Sequence, residues 1–210
     1  MTASTDTYVL RPSCPNPVPS EIRLSEGGRK SLLLVILPGT SCGINLDIHL
    51  EGKGAEAEIA GLFLCREDER VDIDINLYHD VPGCSSRQSF KGIVAGKARA
   101  SFCGKVCVKP DAQKTEAYQE NNNLLLSDDA RVTSSPQLEI YADDVECSHG
   151  ATTGFLNLDE QFYMRSRGIP ESEARVLQII SFLAPILSAI PDENLRETLS
   201  ARVEEAVRSL

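Results

Sequence analysis

Large aromatic side chains are scarce in this sequence. It has no tryptophan, and aromatic residues make up only 5% of its 210 residues. Hydrophobic residues nevertheless account for 41%, so the core must be built from Val, Ile, Leu and Ala. Only three histidines are present, which is a poor supply for a metal-dependent enzyme that needs several ligands converging on one pocket. We therefore expect a globular protein with an aliphatic core, and a metalloenzyme is the least favoured class.

Long hydrophobic runs and basic clusters are also missing. The longest apolar run, Leu32 to Pro38, is too short to span a bilayer, and the first residues lack the pattern of a signal peptide. The 31 acidic residues outnumber the 21 basic ones and give a formal net charge of -10. Nucleic-acid binding and an electrostatic hold on anionic membranes are therefore not expected. We predict a cytoplasmic protein.

The cysteines show no regular spacing of the kind that a disulfide framework requires. Their number is odd, which is typical of reduced thiols in a cytosol. We expect most of them, including the pair Cys103 and Cys107, to be small core hydrophobes. The seven are Cys14, Cys42, Cys65, Cys84, Cys103, Cys107 and Cys147.

The composition changes twice along the chain. Residues 1–20 contain four prolines and no periodicity, which predicts an extended N-terminal arm. Residues 21–154 consist of short apolar or alternating runs bounded by Gly, Pro, Asp, Asn or Ser, which predicts a β-core. Even spacing of the runs and the triplet Asn121 to Asn123 suit a coiled β-solenoid, in which successive strands stack. A jelly roll or a sandwich has the same local pattern, so the pattern alone leaves these folds open.

Residues 155–210 predict a C-terminal helical subdomain. Asn157 or Asp159 can cap a first helix that ends near Gly168, Pro170 can open a second helix, and Pro191 can open a third. The second helix has an apolar side that must be buried against either the β-core or a partner. This side consists of Leu177, Ile180, Phe182, Leu183, Ile186 and Leu187.

The densest group of potential metal ligands runs from Asp143 to His149. If this segment is a strand, Cys147 and His149 point to the same face, because side chains alternate along a strand. A thiolate and an imidazole on one face can bind iron, zinc or copper, or accept a sulfur atom. The alternative is a buried cysteine beside a hydrogen-bonded histidine, and the spacing alone does not decide between the two.

The other histidines have simpler explanations. His79 and Cys84 have the residue types of a nucleophilic Cys/His pair, but Pro82 and Gly83 between them indicate a turn. A hydrogen bond that stabilises this turn is therefore the simpler role for His79. His49 lies in an alternating run and is expected on the face of a strand.

Residues 116–175 resemble the C-terminal signature of the SufB/SufD family, most closely its SufD branch. The segments that carry the resemblance are LEIYADDVECSHGATTG (Leu138 to Gly154) and FYMRSRGIP (Phe162 to Pro170). Upstream, HLEGKGAEAEIAGLFL and SSRQSFKGIVAGKARASFCGKVCVKPDAQKTEA are similar to the β-helical core of the family. Typical members are about twice as long and carry an N-terminal helical region and further coils.

The resemblance implies a right-handed parallel β-helix with a C-terminal helical domain. It implies a non-enzymatic, SufD-like scaffold subunit of the SUF iron–sulfur cluster assembly complex, paired with a SufB-like subunit and docking the SufC ATPase through the helices. Cys147 and His149 are then possible ligands of iron or of a transient cluster, with no tightly bound cofactor. The alternative is a structural β-helix homodimer without assembly activity. In a short β-helix, a cap on the first coil can come from Pro12, Pro15, Pro17 and Pro19.

Overall fold

The computed structural model describes residues 5–10, 17–39 and 41–210. The strands in this part of the chain are β1 (Thr5–Leu10), β2 (Glu21–Leu24), β3 (Arg29–Ile36), β4 (Cys42–Leu50), β5 (Glu56–Cys65), β6 (Arg70–His79), β7 (Ser85–Val94), β8 (Arg99–Val108), β9 (Glu116–Leu125), β10 (Arg131–Ile140) and β11 (Glu146–Phe155). They are followed by α1 (Leu158–Ser166), α2 (Glu171–Ser188) and α3 (Glu193–Arg208).

The chain alternates between two parallel sheets. The odd-numbered strands form a 6-stranded sheet, sheet A, in the order β1-β3-β5-β7-β9-β11. The even-numbered strands form a 5-stranded sheet, sheet B, in the order β10-β8-β6-β4-β2. Each strand therefore pairs with the strand two places earlier, which is the topology of a solenoid. The predicted parallel β-helix is confirmed, and the jelly roll and sandwich, whose strands are antiparallel, are excluded.

The register of the strands stacks apolar side chains into columns inside the solenoid. Ile44 pairs with Ile73, and Ile73 pairs with Phe102, so three buried residues follow one another across sheet B. Because side chains alternate along each strand, the same register places polar residues such as Asp72 on the outer face. The alternation seen in the sequence of β6 is thus the signature of one inner and one outer face.

Helices α2 and α3 cover the outer face of sheet A. Leu33, Val35 and Leu62 of this face pack in one apolar cluster with Leu183 and Val203 of the helices. The strands beneath the helices are buried on both faces, which explains why β3 reads as a continuous apolar run. The helical apolar stripe is therefore buried against the β-core. One residue of the predicted apolar side of α2, Leu177, was assigned wrongly, because it is 42% exposed.

The predicted helix boundaries are confirmed to within two residues. The Asn157 side chain accepts hydrogen bonds from the backbone N–H groups of Asp159 and Glu160 at the start of α1. Pro170 directly precedes α2, and the Asp192 side chain caps α3 through the Leu195 N–H. In the described part of the chain, none of the helices has both the length and the apolar character needed to cross a membrane.

Two segments differ from the predicted strand pattern. Part of the predicted N-terminal arm is β1, which pairs with β3, while Pro12, Pro15 and Cys14 lie outside the described residues. Residues 131–140, with Pro136 in the middle, form the complete strand β10. Proline removes a ladder donor, but β10 is the edge strand of sheet B and pairs only with β8 on its other side. Division into an arm, a β-core and a helical subdomain stays a prediction.

Candidate functional site

The solenoid ends in an open rim formed by β10 and β11, the last strands of the two sheets. Within the described residues, no strand stacks on either of them. Residues of β10 alternate between exposed and half-buried, and most residues of β11 are exposed, whereas β6 in the middle of sheet B buries every second residue. Side chains that would be interior in an earlier coil are therefore accessible at this rim.

Cys147 and His149 lie on the inner side of the rim. In the register of sheet A, Cys147 pairs with Ala117 and His149 pairs with Gln119, and both partners are buried inside the solenoid. Their Cα atoms are about 6.6 Å apart, because a strand rises about 3.3 Å per residue. Cys147 is half-buried and His149 is exposed. The segment is extended and the two side chains share a face; their role as ligands stays a prediction.

Burial makes the Cys147 thiol harder to ionise. Desolvation raises its pKa, the charge of Glu146 acts in the same direction, and a backbone hydrogen bond with Ala117 acts against both. The thiol is therefore protonated near neutral pH, so a metal ion would have to displace this proton to bind the sulfur.

Polar residues fill the interior directly below the rim. Gln88, Gln119 and His149 occupy one column across sheet A, and Gln119 Nε2 donates a hydrogen bond to Gln88 Oε1 at 3.1 Å. The Asn121 Nδ2 group donates to Ser134 Oγ at 2.9 Å. Among the amides of β9, the buried oxygens Gln119 Oε1, Asn121 Oδ1 and Asn123 Oδ1 have no hydrogen-bond partner in the described part of the chain. The interior thus changes from apolar to polar as it approaches Cys147 and His149.

Glycines on the neighbouring strands make room for these amides. A Cβ atom on Gly104 would overlap the Gln119 amide, and one on Gly92 would overlap the Asn123 amide and the Phe63 ring. The position of these polar residues inside the solenoid was not predicted from the sequence. The available signal was the alternation in AYQENNN, which puts Ala117, Gln119, Asn121 and Asn123 on one face.

The predicted role of Cys103 and Cys107 in the core was wrong. They occupy the outer face of sheet B and are half-buried, because they alternate with the inward-facing residues of β8. Of the six cysteines in the described part of the chain, only Cys65 and Cys84 are buried. Burial raises the pKa of the thiols of Cys65, Cys84, Cys103 and Cys107, and it raises the pKa of Cys65 to about 12.

His79 forms no nucleophilic pair with Cys84, and its hydrogen bond joins the two ends of the turn between β6 and β7, as predicted. It is fully buried at the end of β6, and its Nε2 lies 2.8 Å from Ser86 Oγ. Burial lowers the pKa of His79 to about 4, so the ring is neutral near pH 7. The Cys84 thiol instead donates to the Gly52 carbonyl at 3.2 Å. His49 is on a strand face, as predicted, and stacks on Tyr78.

An exposed apolar surface surrounds α1. We call Leu158, Phe162, Tyr163 and Leu177 the α1 surface, and each is between 42% and 75% exposed. A groove of about 690 Å³ lies between α1 and α2 and includes Tyr163 and Leu177 in its lining. Gln178 Nε2 holds the two helices together by donating to the Asn157 carbonyl at 3.0 Å and to Glu160 at 2.8 Å. Large apolar patches of this kind mark interaction sites.

The chain was compared with models of known protein families. The family model described as "SUF system FeS cluster assembly, SufBD core domain" matches residues 17–182, which include the rim, α1 and most of α2. The chain belongs to the SufBD core family. The resemblance predicted from the sequence is thereby confirmed, and the family is one of iron–sulfur cluster assembly.

Several curated proteins are similar to this SufBD core protein. The iron-sulfur cluster assembly protein SufD of Escherichia coli is 40% identical over 168 residues, which are 80% of this chain and 40% of that protein. A SufBD family protein of Synechocystis is 39% identical over 75% of this chain and 36% of its own length. A SufBD family protein of Mycobacterium leprae is 32% identical over 82% of this chain and 46% of its own length. The chain therefore spans less than half the length of these relatives.

Proposed function

We propose that this SufBD core protein is a non-enzymatic, SufD-like scaffold subunit for iron–sulfur cluster assembly. Similarity to the SufD protein of Escherichia coli supports the branch. The observation that carries the proposal is the position of Cys147 and His149, side by side on the inner face of an open rim. The six free cysteines among the described residues fit a reducing compartment such as the cytoplasm.

The rim site holds iron or a nascent cluster only transiently. Cys147 supplies a thiolate and His149 an imidazole, two ligand types that suit iron and iron–sulfur clusters. A complete cluster usually takes four protein ligands, and this pair offers two. The remaining ligands come from a partner subunit that faces the rim. This arrangement explains why a scaffold can pass on its cluster, since separating the subunits removes half of the ligands.

A SufB-like subunit pairs with the open rim. The outer edges of β10 and β11, each 10 residues long, present backbone N–H and C=O groups that are not used in the described sheets. Such edges are templates for strand addition by another chain. Pairing there brings the partner's strands next to Cys147 and His149, so the interface and the metal site coincide.

The SufC-like ATPase docks on the α1 surface. Phe162 is 73% exposed and Tyr163 is 60% exposed, and aromatic side chains are enriched in the buried centre of protein interfaces. Helix α3 is a poorer candidate, since Arg208 is engaged with Glu173 of α2 at 2.9 Å and its apolar residues are buried on sheet A.

The assembly role is tested by anaerobic co-purification of the tagged chain with the SufB-like and SufC-like proteins of its host, followed by iron and sulfide analysis. We expect a ternary complex whose iron content falls several-fold in His149→Ala. Ser148→Ala is the matched control, because Ser148 is exposed on the opposite face of β11 and should leave the iron content unchanged. A homodimer that retains neither partner nor iron would instead establish the structural role.

Docking of the ATPase is tested separately with Phe162→Asp. A charge on the α1 surface should abolish pull-down of the SufC-like protein while leaving the SufB-like protein bound. The control is Glu197→Ala, an exposed position of α3. Retention of the ATPase by Phe162→Asp would exclude the α1 surface as its docking site.

A further inference from the structure

A second group of potential metal ligands lies on the outer face of sheet B, away from the rim. It consists of His49, Glu51 and Asp80. His49 is near the end of β4, Glu51 follows that strand, and Asp80 follows β6. The ends of β4 and β6 lie in register, and the Asp80 N–H donates to the Leu50 carbonyl at 3.1 Å. The solenoid therefore brings together carboxylates that are far apart in sequence.

The distance between His49 and Asp80 fits the coordination sphere of a metal ion, and Glu51 lies close to both. One ligand atom from each of the three residues lies within 4.8 Å of the others. His49 Nδ1 is 3.4 Å from Asp80 Oδ2, which is long for a charge-assisted hydrogen bond of about 2.8 Å. Two ligand atoms that are each about 2.1 Å from a tetrahedral Zn²⁺ lie about 3.4 Å apart. The pair is thus spaced as two ligands of one ion.

The imidazole of His49 is held in the orientation that such a site needs. Its ring stacks on Tyr78 with a centroid distance of 4.5 Å and an interplanar angle of 11°. While Nδ1 faces Asp80, Nε2 faces Glu21 Oε1 at 3.7 Å. Histidines that bind metals commonly direct their second nitrogen toward a carboxylate, which sets the tautomer of the ring. Glu21 is therefore in the place of such an outer carboxylate.

Nearby basic residues occupy only part of the carboxylate oxygens. Lys109 Nζ lies 2.7 Å from Asp80 Oδ1 and leaves Oδ2 facing His49. Arg23 pairs with one oxygen, Oε1, of both Glu21 and Glu51. With a neutral imidazole, three carboxylates against two bases leave the group net negative, which attracts a cation.

We propose that His49, Glu51 and Asp80 bind a divalent first-row metal ion such as Zn²⁺, with water in the fourth position. One imidazole and two carboxylates are ligands that Zn²⁺ accepts, and three protein ligands with an open position are common for this ion. The ion links the ends of β4 and β6. It lies outside the assembly site at the rim, so its presence does not depend on the scaffold role.

The experiment is a Zn²⁺ titration, followed by calorimetry, of the full chain carrying Cys147→Ser and His149→Ala, so that the rim does not compete. We expect one equivalent of Zn²⁺ to bind. Asp80→Asn and His49→Gln should each weaken binding at least tenfold, with the fold checked by circular dichroism. Asp47→Asn is the matched control, because Asp47 lies on the same sheet outside the group and should leave the affinity unchanged.

Two further measurements separate this site from other zinc-binding groups. Lys109→Ala should increase the affinity severalfold, because it frees the second oxygen of Asp80. Co²⁺ in place of Zn²⁺ should give visible d–d bands without thiolate-to-metal charge transfer, since none of the proposed ligands is a cysteine. The proposal is overturned if no stoichiometric Zn²⁺ binds, if binding is unchanged in both Asp80→Asn and His49→Gln, if Lys109→Ala weakens it, or if Co²⁺ shows thiolate ligation.

Discussion

Acid should destabilise this protein through His79. The side chain is completely buried, and its Nε2 is 2.8 Å from the Ser86 hydroxyl. Burial lowers the pKa of His79 from 6.5 to about 4, although the charge of Asp80 acts in the opposite direction. In the unfolded chain the imidazole is accessible to water and takes up a proton near its ordinary pKa.

The sign and size of the effect follow from these two pKa values. Between pH 6.5 and 4 the unfolded chain binds a proton that the folded chain excludes, so the stability is full above pH 6.5 and declines as the pH falls. Each unit of pKa difference corresponds to about 1.4 kcal/mol. The loss should reach roughly 2 kcal/mol at pH 5 and about 3 kcal/mol by pH 4.

The assay is urea unfolding of the wild type and of His79→Gln between pH 7.5 and 5. Glutamine does not titrate and can still pair with Ser86, so the variant should lose less stability than the wild type over this range. The difference between the two profiles removes the contribution of the carboxylates, and His149→Gln measures the effect of losing an exposed imidazole. Parallel profiles for wild type and His79→Gln would refute the assignment of a buried, neutral His79.

Two packing predictions can be tested with the same unfolding assay. Gly92→Ala should destabilise the protein by about 1–3 kcal/mol, because the new methyl group overlaps the stiff Phe63 ring, whereas Gly150→Ala on the rim should be neutral or slightly stabilising. Equal stabilities of these two variants would contradict the tight packing at Gly92. Leu183→Ala should cost about 2–5 kcal/mol, because Leu183 is fully buried between α2 and sheet A, while Leu177→Ala should cost under about 1 kcal/mol. A large loss of stability in Leu177→Ala would contradict the exposure of Leu177 on the α1 surface.

Local sequence patterns predicted helix ends and strands well where a single type of residue favours one structure. Asn157 and Asp192 cap their helices because their side chains satisfy free backbone N–H groups, an interaction that spans only three residues. The alternating runs within residues 21–154 likewise indicated strands with two different faces, of which β6 is an example. Strand β10 was harder to predict, because Pro136 argues against a strand unless its edge position is known.

The candidate sites likewise combine features that a local sequence pattern predicted with features that it could not predict. The strand period predicted that Cys147 and His149 share a face, since the two residues are neighbours in one element. No local pattern could predict that this face belongs to the last coil of the solenoid, with Gln119 beneath it. The proximity of His49 to Asp80 depends on the register between β4 and β6, and the sequence alone predicted only that His49 lies on a strand face.

The amino-acid sequence by itself determined most of the strands, the helices, their caps and the family, because these depend on neighbouring residues and on motifs of contiguous letters. The edge strands β1 and β10 were the exceptions. Tertiary structure alone decided which sheet the helices cover and which strands remain open at the rim. In a strand without apolar alternation, such as β11, inward-facing and outward-facing residues have the same period, and only the stacking of one coil on the next tells them apart. The chemistry proposed at the rim and at His49 therefore arises from the register of the solenoid.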